Sequence, residues 1–263
     1  RDYFGSIDQA LLVERVERRV SDRRVLKLLR GWLRAGVMDE GKYAATISGT
    51  PQGGVISPLL SNIYLHFLDN VWERQCASVG ALVRYADDFV ILCRNREAVV
   101  EAERRVRIVF ERLKLELHPE KTRKVDLTEG KEGFDFLGHH LHMRMSGRHW
   151  EQKRIRRYYL QRWPSPRSMK RVRTRVKELT DRRWNGVKDV RVLIQNLNPV
   201  LRGWGNYFRT GNAARKFLSL DKHVVRRLNM FRWRRHGRHA KAGTRIRWAR
   251  EEYERSEERR VGK

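Results

Sequence analysis

The chain has 263 residues, of which 40% are hydrophobic; this is enough for one large domain or two modest ones and excludes a disordered tail. Its 59 Lys and Arg residues against 31 Asp and Glu residues give a net charge of +28, so a polyanion such as nucleic acid is the first partner expected. Its two cysteines exclude a disulfide framework and fit a reducing compartment, and the lack of an apolar run of membrane-spanning length predicts a cytoplasmic protein without a membrane partner.

The first part of the chain shows helical periodicity. Apolar residues three and four apart predict one helix carrying Leu12, Val16 and Val20 and a second helix that ends at Gly36. A loop rich in Gly, Thr and Pro covers residues 48–54 and leads into a further helical pattern. That pattern carries Leu59, Leu60, Ile63, Phe67, Leu68 and Val71.

Two β-rich apolar runs follow within residues 81–93, and only the stretch 86–88 interrupts them. This pattern predicts an antiparallel hairpin with acidic residues at its tip. Apolar spacing predicts a helix over residues 97–113, a short strand over 115–117 and a further strand over 134–141. The order of these elements predicts an α+β domain in which helices pack on an antiparallel sheet.

Beyond about residue 151 the sequence predicts helices without strands, broken at residues 163–166, at Asn198-Pro199 and at Gly203 and Gly205. Residues 1–150 carry 25 basic and 21 acidic side chains, whereas residues 151–263 carry 34 and 10. The basic residues of this second part alternate with Trp, Tyr and Phe, a mixture that favours nucleic-acid contact over a merely solvated surface. We therefore expect a domain boundary at about residue 150.

The adjacent carboxylates of Asp87 and Asp88 are the clearest candidates for chemistry. Like charges at a hairpin tip repel each other unless a cation lies between them, and hard oxygen ligands suit Mg²⁺. Acidic residues are also common in ordinary turns. The meaning of the pair therefore depends on the motifs around it.

Several motifs carry a resemblance to a known family. Tyr85-Ala86-Asp87-Asp88 resembles the Tyr-x-Asp-Asp box of reverse transcriptases, and residues 50–60 (TPQGGVISPLL) resemble the group II intron form of the adjoining palm motif. Glu120-Lys121-Thr122 is similar to the next motif of the family, and Phe136-Leu137-Gly138 is similar to its primer grip. Residues 198–208 (NPVLRGWGNYF) resemble the maturase-specific region that forms the thumb. From residue 1 to about residue 210, the chain resembles a group II intron reverse transcriptase/maturase.

The resemblance implies a reverse-transcriptase palm over residues 1–150, with an antiparallel sheet and packed helices, followed by an all-helical basic thumb or maturase-specific domain over residues 151–254. It implies RNA-directed DNA polymerase activity, in which two-metal catalysis transfers a nucleotide from a dNTP to a primer 3′-hydroxyl. The implied partners are intron RNA, an RNA template, a DNA primer and the dNTP, in a bacterial cytoplasm and near the nucleoid. A homodimer is left open.

The family also implies roles for single residues. Asp87 and Asp88 would be catalytic and would hold two Mg²⁺ ions. Lys121 would neutralise the leaving pyrophosphate, although a solvated lysine fits that position equally well. The remaining residues would contact the nucleotide and template: Phe4, Pro51, Gln52, Gly53, Gly54 and Tyr85. For Phe4 the alternative is an ordinary core aromatic.

Further along the chain, Phe136, Leu137 and Gly138 would form the primer grip, and Arg202 and Arg209 would bind RNA. Trp204 and Phe208 are four residues apart and share one face of a helix. They fit a helix core as well as a stacking surface.

Two other functions are left open. A splicing maturase would act mainly as an intron-RNA-binding protein, and a CRISPR-associated or retron-like reverse transcriptase would share the palm. The metal-binding aspartate of the first palm motif would lie just upstream of Arg1, so a third carboxylate ligand is missing from this chain and we expect this fragment to be inactive alone. Residues 255–263 resemble a translated sequencing adapter and are expected to be read-through.

Overall fold

The computed structural model describes residues 3–35, 37–39, 42–44, 49, 55–147, 151, 154–181, 184 and 190–236. The chain divides into two compact units, residues 1–124 and residues 125–263. Each unit has a hydrophobic core of its own.

The helices of the first unit are α1 (Tyr3–Ser6), α2 (Gln9–Glu17), α3 (Arg23–Arg34), α4 (Ser57–Val71) and α5 (Arg96–Arg112). Helices α2, α3 and α5 each begin with a side-chain cap. The capping residues Asp8, Asp22 and Asn95 accept hydrogen bonds from backbone N–H groups that have no partner within the helix. A single π-helical turn, Trp72–Cys76, continues α4. The helices predicted from apolar spacing in this unit are confirmed, except that α2 ends at Glu17, before Val20.

The core of the first unit lies between the apolar faces of helices α2 to α5. Tyr64 on α4 is fully buried in it, and its hydroxyl donates to the carbonyl oxygen of Leu113 at 2.6 Å. A buried phenol needs such an acceptor, since an unpaired buried hydroxyl is unfavourable. The bond fixes α4 against the end of α5.

The strands of the first unit form two hairpins. Strand β1 (Val37–Asp39) pairs with β2 (Lys42–Ala44), and β3 (Ala81–Tyr85) pairs with β4 (Asp88–Leu92), in both cases antiparallel. The hairpin predicted over residues 81–93, with acidic residues at its tip, is confirmed.

The strand predicted over residues 115–117 is wrong, because that segment completes the end of α5. Lys114 adopts a left-handed backbone conformation with φ of 51°, and the N–H of Leu115 donates back to the carbonyl oxygen of Phe110 at 2.8 Å. This pattern ends helices and satisfies their last carbonyl groups. Leu115 is then buried in the core instead of pairing with another strand.

In the second unit, β5 (Gly133–Phe136), β6 (His139–Met145) and β7 (Tyr158–Pro164) form an antiparallel sheet in that order. The prediction that strands stop near residue 151 is wrong, because β7 pairs with β6 along its whole length. The compact units divide between Lys124 and Val125, and the predicted domain boundary at about residue 150 stays a prediction. The segment 255–263 lies outside the described residues.

The helices of the second unit are α6 (Pro166–Leu179), α7 (Val190–Phe208) and α8 (Ala214–His236). The predicted breaks at Asn198-Pro199, Gly203 and Gly205 are wrong, since α7 runs through all of them. Pro199 removes one N–H group, and the buried Leu193, Leu197 and Phe208 on the same helix favour continuation, because tertiary packing outweighs local propensity.

The predicted α+β class is confirmed, with small antiparallel sheets and a helical C-terminal region. Among the helices that the structure describes, none is both long and apolar enough to cross a membrane.

Candidate functional site

The tip of the β3–β4 hairpin is a two-residue loop. Tyr85 lies opposite Asp88 in the register, so Ala86 and Asp87 form the turn. Ala86 has φ of 53°, a conformation that costs a residue other than glycine about 1–3 kcal/mol. The carboxylates of Asp87 and Asp88 are exposed, and within the described parts of the chain neither forms an ion pair or a side-chain hydrogen bond. Both are therefore available to a cation.

Arg84 holds this tip in place. Its Nε donates to Oδ1 of Asp69 on α4 at 2.8 Å, and its Nη2 donates to the other carboxylate oxygen. Its Nη1 donates to the carbonyl oxygen of Ala86 at 2.8 Å and to Oδ1 of Asn62 at 3.0 Å. The Asp69 carboxylate raises the pKa of Arg84 above its ordinary value. One guanidinium thus fixes the backbone of the turn to α4, beside the two exposed carboxylates.

The residues Arg84, Asp69 and Asn62 were missed by the sequence reasoning. An arginine inside an apolar strand pattern, directly before Tyr85, is the local signal that could have drawn attention to the group. The side chain of Arg84 is only 12% exposed, and a buried guanidinium requires a fixed acceptor. Its partners lie on a helix 15 and 22 residues away, which strand periodicity does not indicate.

Tyr3 on α1 also lies near the tip. Its hydroxyl donates to the carbonyl oxygen of Ser61 on α4 at 3.1 Å. Burial raises the pKa of Tyr3 to about 12, and the negative charge of Asp87 acts in the same direction. The structure therefore brings the start of the chain, which resembles the first palm motif, to the Tyr-x-Asp-Asp box.

The turn between β5 and β6 is the predicted primer grip. Leu137 and Gly138 have φ of 47° and 77°, and positive values at both central residues are typical of the tightest hairpin turns. The carbonyl oxygen of Gly138 accepts hydrogen bonds from Ser168 Oγ at 2.8 Å and from the N–H of Ser165 at 2.9 Å. The carbonyl oxygen of Leu137 accepts from the hydroxyl of Tyr207 at 2.8 Å. The turn is thus fixed to the start of α6 and the end of α7.

We expect Gly138→Ala to lower the free energy of unfolding by about 1–3 kcal/mol, because alanine strains a backbone of positive φ. An added Cβ would also lie 2.9 Å from Ser168 Oγ. The matched control is Gly203→Ala on α7, where a Cβ meets nothing within 4 Å and where alanine should stabilise the helix by about 0.5–1 kcal/mol. Urea unfolding measures both, and effects of the same sign would contradict the role of the turn.

The aromatic residues at the end of α7 form part of a helix core. The rings of Trp204 and Phe208 lie 4.8 Å apart, and Phe208 is buried, so their predicted shared face is confirmed. Arg202 and Arg209 are exposed on the same segment. Within the described residues neither forms an ion pair with a carboxylate, and their contact with RNA stays a prediction.

Comparison with known proteins gives the family. A model described as reverse transcriptase (RNA-dependent DNA polymerase) matches residues 1–141. The chain belongs to the reverse transcriptase family. A second model, the maturase-specific domain of group II introns, matches residues 169–262. The group II intron type that the motifs predicted is therefore confirmed.

The reverse transcriptase is similar in sequence to two bacterial proteins over part of its length. It is 38% identical over 183 residues to protein YkfC of Escherichia coli (strain K12), covering 57% of this chain and 47% of that protein. It is 27% identical over 206 residues to the group II intron-encoded protein LtrA of Lactococcus lactis subsp. cremoris, covering 55% of this chain and 34% of that protein. The chain thus spans about half the length of the first relative and a third of the second.

Among solved structures, a telomerase from Candida albicans in complex with a TWJ fragment of telomeric RNA matches with a TM-score of 0.45 and 11% identity. The match covers 95% of this chain and 48% of that chain.

The other predicted site residues of the reverse transcriptase differ in where the structure places them. Lys121 lies in a turn after α5, where its N–H donates to the carbonyl oxygen of His118 at 3.2 Å. Its side chain is exposed and pairs with no carboxylate in the described part of the chain. Tyr85 is 66% exposed. Phe4 is part of α1, but its side chain lies outside the described residues, as do Pro51, Gln52, Gly53 and Gly54.

The carboxylates of Asp87 and Asp88 have the chemistry of magnesium ligands, because they are exposed hard oxygen donors. Among the described residues, no cationic side chain is bound to them. Elsewhere in the part of the chain that the structure describes, no cluster of three or more His, Cys, Asp or Glu residues could hold a metal ion. The metal role of the pair stays a prediction.

Proposed function

We propose that this reverse transcriptase is an RNA-directed DNA polymerase that extends a DNA primer on an RNA template. The 3′-hydroxyl of the primer attacks the α-phosphate of a dNTP, a new phosphodiester bond forms, and pyrophosphate leaves. The observation that carries the proposal is the pair of exposed carboxylates at a hairpin tip whose backbone Arg84 fixes to α4. A fixed tip keeps the reacting groups in one geometry, which accounts for much of the rate acceleration in such reactions.

In this proposal Asp87 and Asp88 hold Mg²⁺. When bound, two Mg²⁺ ions lower the pKa of the attacking hydroxyl and stabilise the charge on the leaving pyrophosphate. Arg84 acts on the turn and not on the substrate, so it is a positioning residue. Tyr3 stays protonated, because its pKa is raised to about 12, and its hydroxyl donates to the carbonyl oxygen of Ser61 on α4.

The remaining predicted contacts complete the proposal. The turn at Phe136, Leu137 and Gly138 binds the primer, and its rigid tie to α6 and α7 keeps it in one position. Lys121 neutralises pyrophosphate. The nucleotide and the template are bound by the remaining predicted residues: Phe4, Pro51, Gln52, Gly53, Gly54 and Tyr85. We place this activity in the bacterial cytoplasm, near the nucleoid, and a homodimer remains part of the hypothesis.

Primer extension tests the proposal. The protein that contains this chain is incubated with an RNA template, a labelled DNA primer and dNTPs, with Mg²⁺ in one reaction and EDTA in another. We expect template-directed extension that requires Mg²⁺ and that stops when one dNTP is left out. Extension that proceeds in EDTA, or none with the Asp pair intact, would contradict it.

A second function is favoured by the match of residues 169–262 to the maturase-specific domain and by the basic charge of the same region. In this second function the chain acts as a splicing maturase that binds intron RNA. We expect intron splicing to survive Asp87→Ala, since binding needs no metal site, and to fall when basic residues of the helical region are reversed in charge. A splicing assay with both variants checks this. Loss of splicing in Asp87→Ala alone would tie the two functions together and contradict an independent maturase role.

A further inference from the structure

A cleft of about 460 Å³ lies between α6 and α8 of the second unit. The two helices pack through a shared apolar cluster that includes Met169 and Val172 on α6 and Leu220 and Val224 on α8. The cleft follows the edge of that cluster. Its walls therefore belong to a packed part of the unit.

The charged lysine and arginine side chains that line the cleft are all positive. Lys170, Arg173 and Lys177 line it from α6, and Lys216 and Arg227 line it from α8. Of the described residues that line it, none is acidic. Several cations facing a common space repel each other, and the repulsion is relieved when an anion enters. The lining thus selects for negative charge.

Two arginines of the cleft are held in place by neighbouring hydroxyl groups. Arg173 is held in place through its Nη2, which donates to Ser219 Oγ at 2.7 Å. Arg227 is held by Thr180, whose hydroxyl accepts from its Nε at 2.9 Å. Arg173 and Arg227 therefore hold fixed positions in the lining of the cleft, where their positive charge faces the space that an anion would enter.

We propose that this cleft binds a phosphodiester group of RNA, an inference that rests on the proposed RNA-binding function and assigns that function to a place. A phosphate oxygen accepts a charge-assisted hydrogen bond from a guanidinium, which is stronger than a bond between neutral groups. The lysines at the rim supply charge without sequence preference. Arg202 and Arg209, the RNA contacts predicted from the sequence, do not line this cleft.

The position of His223 adds a pH dependence. Burial lowers the pKa of His223 below its ordinary value, and the charges of Arg173, Arg227 and Arg226 act in the same direction. Lys170 and Lys177 from α6 and Lys216 from α8 face the same space. A bound phosphate offsets these charges and raises the pKa, so RNA binding takes up a proton at His223. The affinity for RNA should then rise as pH falls through the pKa that His223 has in the complex, and it should level off below the lowered pKa that His223 has in the free protein.

Equilibrium RNA binding tests the cleft directly. Fluorescence anisotropy of a labelled RNA is measured on the full chain in EDTA without dNTPs, so that failure of polymerase chemistry has no influence on the result. The cleft variant is Lys170→Gln with Lys216→Gln. The matched control is Arg215→Gln with Lys222→Gln, which removes the same charge from exposed positions of α8 outside the cleft.

We expect the cleft variant to bind about tenfold more weakly near 0.1 M salt and the slope of log affinity against log salt to fall by about two. The control should change affinity by less than about threefold. His223→Gln should bind RNA with a weaker dependence on pH than the unmodified chain. Retention of RNA binding by Asp87→Asn would show that the cleft works independently of the proposed polymerase site.

Equal losses in the cleft variant and its control would overturn the proposal, because they would reflect net charge alone. Competition by polyglutamate as effective as competition by unlabelled RNA of equal charge would assign the cleft to an acidic peptide and would also overturn it. Full displacement of RNA by a few millimolar inorganic phosphate would do the same, since it would indicate a site for free phosphate.

Discussion

Replacement of Asp87 by asparagine is expected to lower primer extension by about a thousandfold, which corresponds to about 4 kcal/mol of transition-state stabilisation. The amide keeps the size of the side chain but removes the charge that holds Mg²⁺. The measurement is the rate of single-nucleotide addition on an RNA template at saturating dNTP. Raising the Mg²⁺ concentration should recover only part of the rate, because one ligand of the site is changed in kind.

The fold should be unaffected by Asp87→Asn, since the carboxylate is exposed and forms no ion pair or side-chain hydrogen bond in the described residues. Removing one of two adjacent like charges relieves repulsion, so the melting temperature should not fall. The matched control is Glu73→Gln, an exposed carboxylate of the same unit, which should leave the rate within about twofold. Equal rates in Asp87→Asn and in the unmodified protein would remove the hairpin tip from the mechanism.

Arg84→Met is expected to reduce both stability and activity. It leaves the Asp69 carboxylate without its main partner and frees the carbonyl group of Ala86. Loss of one member of a partly buried, hydrogen-bonded pair lowers the free energy of unfolding by about 1–3 kcal/mol. The matched control is Arg104→Met, whose pair with Glu101 lies at the surface and whose loss should change the free energy of unfolding much less. Chemical denaturation measures both variants.

A double variant separates positioning from stability. Arg84→Met with Asp69→Leu removes both charges, and apolar replacement of a buried pair is often nearly neutral. Stability should therefore recover, whereas primer extension should stay low, because nothing then holds the carbonyl group of Ala86. Recovery of activity together with stability would mean that Arg84 acts only on the fold.

The sequence predicted those parts of the molecule that depend on local patterns. The hairpin at residues 81–93 followed from two apolar runs with a polar break, and α4 and α5 followed from apolar residues three and four apart. These signals are local in the sequence, because one side of each element faces a core and its apolar residues recur with the period of that element. The acidic tip was predicted for the same reason, since the break in the apolar pattern falls at the turn.

The features that were missed depend on contacts between distant residues. Strand β7 carries a mixture of exposed and half-buried side chains, and its place in the sheet depends on pairing with β6. Helix α7 continues through Pro199 because packing outweighs a local breaker. The bonds from Arg84 to Asp69 and Asn62 join a strand to a helix. The cleft lies between α6 and α8, and in the sequence each of its lysines, taken singly, resembles any solvated charge.

The ties at the β5–β6 turn have a consequence for the motions of the second unit. The carbonyl groups of Leu137 and Gly138 accept from hydroxyls on two different helices, Tyr207 on α7 and Ser168 on α6. Opening of either helix breaks a bond at the turn, so the hairpin and the helix ends should open together as one cooperative segment. Amide hydrogen exchange in β5 and β6 should then follow that of α6, and a ligand that slows exchange in the helices should slow it at the turn.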